Sequence, residues 1–461
     1  MRLTLSQRVK AERFALPAAI VCVLILPLAL LYARALAEIL IGATDALFLV
    51  HLAASPDRSC LRSPFALAAG AWLVWQIVCS GIGTGGLMLS LVLFRLPLFA
   101  LAVGSWAMAA PRARRLLWLV LAMSVGWIVL QCWQQYLTGT NIFGVPRWGD
   151  GALTGPFNRP RAGPALILTL FPVLLPVIAA LAASPKRSVK AAALLIAVLG
   201  AATVLLVGQR MPSALLLLGL ILTGLLLPKL RLAMCAAVVL GVALLAATPV
   251  LAPDTYQKLI LRTREQLTHF VYSPYGELWV RATVIAEQHP VTGLGFDGFR
   301  RGCGDPHAVQ GLPILGVTLA EARIATDACN IHPHNYFLEQ ADNGGVPLLI
   351  LFTIMVALAW LRLARGLSHG LGRDLGPALG PGLGPALEPA LGPALAPGLG
   401  RGPDPLRAGL LVAFTLAVWP VASTSAFTSM PNAGWVFLLL GVGFAAAGRP
   451  YGEAASRQAS T

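Results

Sequence analysis

Again and again this chain runs for 16 to 24 residues with scarcely a charged side chain, and that pattern fixes what it can fold into. The stretches are 14–32, 35–54, 64–80, 87–110, 115–137, 162–183, 190–207, 212–227, 231–250, 345–361, 408–426 and 433–448. A bilayer core about 30 Å thick takes about 20 helical residues, with about 17 as the lower limit. In hydrocarbon a segment must satisfy its own backbone, so these stretches are expected to be helices. Composition agrees: 57% of the residues are hydrophobic, 11% are charged and mean hydropathy is +0.76. The expected fold class is an all-α polytopic membrane protein with about twelve transmembrane helices and one large periplasmic loop. The basic N-terminus, MRLTLSQRVKAER, resembles the start of a signal peptide, but no clear small-residue cleavage site follows, so the first span is expected to be retained.

The expected organisation is nine helices in 1–250, a polar loop over 251–344, a tenth helix at 345–361, a linker at 362–407, two helices in 408–448 and a tail at 449–461. The loop holds five of the seven histidines, His269, His289, His307, His332 and His334, and ten of the nineteen acidic residues. Against these stand seven basic residues, so the loop is formally −3 within a chain of net charge +15. The segments on the other side, SPDRSCLRSP, PRARR, SPKRSVK, PKLR and the linker after Arg362, all carry Lys or Arg. The positive-inside rule then makes the 251–344 loop periplasmic and the linker and tail cytoplasmic. The net charge therefore reflects membrane topology; no basic stripe with interleaved aromatics points to nucleic acid.

Within the loop lie two cysteines, Cys303 and Cys329; the other five fall in spans or, for Cys60, in an inner loop. A pair alone in an oxidising compartment reads as a disulfide. Zinc is the rival, disfavoured because neither cysteine sits in a CxxC and His332 and His334 lack helical ligand spacing. Two other features draw the eye without carrying function. Residues 365–403 contain a GPAL/GPGL tandem, whose prolines forbid helix. The string Gly293-Leu-Gly295-Phe-Asp-Gly298 matches GxGxxG but follows a helical stretch and Pro290 rather than a strand, so it reads as a turn returning to the membrane surface.

The cations with chemical promise are Arg210, at a junction of two apolar spans, Arg95, inside an apolar run, and Arg281, Arg300 and Arg301 in the loop. A guanidinium fork fits a phosphate, and an intramembrane charge is a functional-site candidate by default. A lone arginine can also snorkel. His334, just before the tenth span, is a residue type that transfers protons near neutrality.

An ordered set of segments resembles the O-antigen ligase/polymerase superfamily of bacterial inner-membrane proteins. They are GPFNRPRAGPALILTLFPVLLP, LLVGQRMPSALLLL, SPYGELWVRATVIAEQHPVTGLGFDGFRRGC, IHPHNYFLEQADNGGVPLLILF and WPVASTSAFTSMPNAGW, spread over about 150–440. The family often has an arginine four residues before the loop tryptophan; here Tyr275 stands four before Trp279. Arg281, Arg300 or Arg301 would take over its role. Where the family often has an acidic residue, this chain has Asn343 with Asp342 beside it.

The resemblance implies an O-antigen ligase-like glycosyltransferase that moves a glycan from undecaprenyl diphosphate to a hydroxyl of lipid A–core at the periplasmic face. It implies His334 as base or orienter and Arg210 on the diphosphate. Arg281, Arg300, Arg301, Arg95 and Asn335 are expected at the substrate. No metal or cofactor is expected, because a diphosphate is already a good leaving group; partners are the lipid-linked donor, the glycan acceptor and membrane lipids. A polymerase of lipid-linked repeats or a protein O-oligosaccharyltransferase would use the same chemistry. A transporter or flippase is the alternative of a different class, with Glu38 and Asp45, seven apart, as its coupling acids.

Overall fold

The computed structural model describes residues 5–83, 85–319, 329–330, 332–365, 367, 404–421 and 425–448. The helices are α1 (Leu5–Tyr32), α2 (Arg34–Ala54), α3 (Pro64–Ile82), α4 (Leu87–Ala107), α5 (Pro111–Thr138), α6 (Ala162–Ala182), α7 (Arg187–Leu206), α8 (Arg210–Leu226), α9 (Arg231–Leu251), α10 (Pro274–Gln288), α11 (Tyr336–Ala364), α12 (Pro405–Ala417) and α13 (Asn432–Ala446). The chain is a multi-pass membrane protein. Among the described residues nine helices are long and apolar enough to cross a membrane: α1 to α7, α9 and α11. The three remaining expected spans correspond to α8, α12 and α13, of 17, 13 and 15 residues, which fall short of that length. The count of twelve is thus not reached by length alone. The physical reason is clearest at α12, where Pro420 has no N–H for Leu416 and disfavours helix in Trp419, so the expected 408–426 span ends early. The tetrapeptide repeat and the tail lie outside the described residues.

α6, α12 and α13 form the middle of the bundle. Every residue of α13 from Ala433 to Ala445 is buried, the mark of a helix surrounded by protein on all sides. α6 packs on α12 so closely that a Cβ on Gly409 would lie 2.7 Å from the Phe171 carbonyl oxygen. Small residues let backbones approach in this way inside membranes. On the outer helices, side chains such as Val250, 86% exposed, and Met88, 75% exposed, present an apolar surface of the kind lipid covers.

α11 is broken where the large loop meets it. Gly344 and Gly345 leave helical geometry, Gly345 with φ 68°. Pro347 supplies the cause: it has no N–H to give Asn343, four residues earlier. The loop takes over the freed groups. Leu294 N–H donates to Asp342 O (2.8 Å), Gly295 N–H to Asn343 O (3.0 Å) and Gly298 N–H to Asn343 Oδ1 (2.9 Å), while Val346 N–H donates to Pro290 O (2.7 Å). The GLGFDG string is therefore a backbone clamp on a broken membrane helix. Its glycines are needed for contact: a Cβ on Gly293 (φ 58°) would stand 2.5 Å from Asp342 O, and one on Gly298 would overlap the same oxygen. Gly298→Ala should lower stability by about 1–3 kcal/mol through overpacking. A fall in the detergent melting temperature checks it; an unchanged temperature would mean that the clamp is loose.

Beyond the clamp the loop has its own small core, with Leu278, Ala282, Ile285, Phe299 and Ala308 buried together. Cys303 and Cys329 are joined there in a disulfide, Cα atoms 5.7 Å apart, which leaves no thiolates for the zinc alternative. Two two-residue strands, β1 (Gly311–Leu312) and β2 (Val317–Thr318), pair antiparallel and are the only strands among the described residues.

Candidate active site

His334 sits in a short turn one residue before the cap of α11. Asn335 is that cap: its Oδ1 accepts from Phe337 N–H (3.0 Å) and Leu338 N–H (3.2 Å), as an N-cap asparagine does. Its side-chain oxygen thus serves the helix, so Asn335 sets where His334 stands. His334 has φ 54°, a left-handed backbone unusual outside glycine. Its ring is half-buried and held on three sides. Tyr275, in the first turn of α10, meets it edge-on at 5.2 Å, His332 at 4.3 Å, and Nε2 lies 3.0 Å from the side-chain amide nitrogen of Asn330. With that amide donating, Nε2 is the unprotonated, basic nitrogen. His332 is 5% exposed, and burial, with His334 adding to it, pushes its pKa down to about 4. It is neutral at any physiological pH.

Arg210 opens α8, half-buried, and donates to the Gln266 side-chain oxygen. Gln266 belongs to a short helix, Arg262–Thr268, none of whose residues is buried. From there the chain needs only seven residues to reach Tyr275. The segment 262–275 therefore touches Arg210 near one end and His334 at the other. Beside Arg210, Gln209 donates through Nε2 to Pro160 O (2.6 Å) and ties the start of α8 to the start of α6. Pro160 is flanked by the exposed Arg159 and Arg161, so three arginines attach to this junction of two helix N-termini. Such termini favour anions. Arg159 and Arg161 lie within GPFNRPRAGP, and the Gln209–Pro160 contact brings that segment to the helix start that carries Arg210, a proximity that spacing in sequence does not show.

Two of the three candidate loop arginines, Arg281 and Arg301, hold protein groups. Arg281 is 1% exposed and donates to Cys303 O (3.1 Å) and Cys329 Sγ (3.4 Å). Burial lowers its pKa, and Glu277 one turn earlier opposes the shift. It braces the disulfide from within the loop core. Arg301 donates to Gly85 O (3.0 Å), Leu294 O (3.1 Å) and Phe296 O, stapling the loop to the turn between α3 and α4. Arg300 is exposed and donates to no described residue; with Arg301 it partly offsets the burial that raises the pKa of Asp297. Arg95, in α4, is paired with Glu38 of α2. That pair also takes up one of the two acids of the transporter alternative; the other, Asp45, is 4% exposed.

Residues 195–353 match the family model Wzy_C, O-Antigen ligase. Over these residues the chain is similar to the O-antigen ligase family. The match opens near the middle of α7 and closes within α11, so the matched stretch takes in Arg210, Gln266, Tyr275, Asn330, His332 and His334. Arg95, Arg159 and Arg161 stand before it. No curated protein matches the chain.

Proposed function

We propose that the protein transfers a glycan from undecaprenyl diphosphate to a hydroxyl of lipid A–core at the periplasmic face of the bacterial inner membrane. The observation that carries this is the 262–275 segment, which joins a membrane-level arginine to a histidine whose basic nitrogen faces an exposed amide. The donor is an amphiphile with a polyprenyl tail and a diphosphate head; it needs lipid-facing helices, cations at headgroup level and a base beyond them. Arg210, with Arg161 or Arg159 across the helix junction, neutralises the diphosphate. The acceptor hydroxyl displaces Asn330 from His334 Nε2 and gives that nitrogen its proton as its oxygen attacks the anomeric carbon. The bond from that carbon to the phosphate oxygen breaks, and the electron pair leaves with the diphosphate, where arginine stabilises it. The protein's own cations suffice for this charge, so transfer is expected to need no metal.

Orientation rests on charge. The end of the bundle opposite the loop carries Arg58, Arg62, Arg112, Arg115, Lys186, Lys190 and Lys229, as a cytoplasmic end does. Polymerisation of lipid-linked repeats and protein glycosylation would use the same groups with another acceptor. The lipopolysaccharide of a deletion strain separates them. Loss of all O-antigen from the core, with lipid-linked chains accumulating, supports ligation; a core bearing a single repeat shifts the assignment to polymerisation; an unchanged profile overturns both.

A further inference from the structure

We infer that His332 is a positioning residue for His334, acting through a turn that its own side chain closes; this rests on the proposed role of His334 as base. The backbone N–H of His334 donates to His332 Nδ1 at 3.3 Å. A side-chain acceptor taking the N–H two residues on is the geometry of an Asx-turn, with imidazole in place of an asparagine oxygen. The turn has work to do, because the left-handed backbone of His334 is unfavourable for a residue with a Cβ. Pro333 between the two histidines fixes its own φ and disfavours helix in His332, so the pair has few alternative arrangements.

The chemistry of the two rings then divides. His332 is buried and spends its Nδ1 lone pair on backbone, so it takes no substrate proton. His334, at right angles to the Tyr275 ring and with Nε2 toward the exposed Asn330, keeps its basic nitrogen at the half-exposed face. What His332 contributes is the direction in which that nitrogen points. Sequence spacing alone does not distinguish this from a second catalytic histidine; the Nδ1 contact does.

Pairs of equal-sized substitutions test the acceptor apart from the packing. His332→Asn retains an oxygen near the Nδ1 position, and His332→Leu has the same shape without it. In a transfer assay with purified full-length protein and lipid-linked glycan, Asn should remain within a few-fold of the native kcat. Leu should lose about 10- to 100-fold in kcat, as a misaimed group does, with the donor KM unchanged. His332→Ser against His332→Ala repeats the comparison in a smaller space, Ser being the more active, and serves if Leu lowers the melting temperature. If Asn is as impaired as Leu, and Ser as Ala, in folded protein, His332 does not act as an acceptor. His334→Ala run alongside separates the two ideas: if it is fully active the base assignment itself falls, whereas an inactive His334→Ala with equal pairs at 332 removes only the positioning role.

Discussion

Transfer from lipid-linked glycan should fall about 10²–10⁴-fold in His334→Ala, the range a positioned general base contributes. Protein level and membrane insertion should be unchanged, because the ring is half-buried at the edge of the fold and the cap of α11 belongs to Asn335. The left-handed φ of 54° would remain for alanine to adopt, so some loosening of the turn accompanies the loss of the base. His334→Asn, which tolerates that backbone better, controls for it and should be just as inactive. Full activity of either variant would overturn the base assignment and leave positioning by the arginines as the main contribution. The assay is run with EDTA, and undiminished native activity there is the expected result for metal-independent transfer.

Arg210→Lys should lose about 10²–10³-fold, comparable to removing one donor that stabilises developing charge. Lysine keeps the charge and loses the planar fork that can hold two phosphate oxygens and reach Gln266 at once. If Arg210 merely snorkels to the headgroup level, lysine does so equally well and activity returns to the native value. Arg161→Ala should weaken donor binding with a smaller effect on kcat, seen as a raised donor KM.

Much of the architecture was legible because hydrocarbon leaves a chain so few options. Apolar helices occupy all twelve places where apolar runs stand, and the polar loop lies where histidines and acids gather. Length was less legible: the apolar run 408–426 contains Pro420, and a local backbone clash outweighed a favourable composition. Single residues of the site divided by burial. His334 and Arg210 stand out in the sequence because a histidine at a span boundary and a charge between spans are anomalies in themselves. Arg281 and Arg301 looked equivalent to Arg210 in sequence, since spacing does not reveal that one lies under a disulfide and the other against three backbone carbonyls. The segment of Arg159 and Arg161 meets the helix start of Arg210 through Gln209 and Pro160, 49 residues apart in the chain, a separation at which local pattern carries no information.

The exchange of hydrogen bonds around Gly344 and Gly345 bears on which side of the loop can move. Lifting residues 290–298 away would strand two carbonyls and an N–H on a membrane helix, each costly to leave unsatisfied away from water. That side of the loop therefore behaves as a fixed wall, welded to α11. The opposite side hangs from a helix with no buried residue, fastened at Arg210 by one exchangeable side-chain contact. Under the proposed function, a lipid-linked donor would enter on that second side, past 262–268, exchanging the Gln266 contact of Arg210 for phosphate.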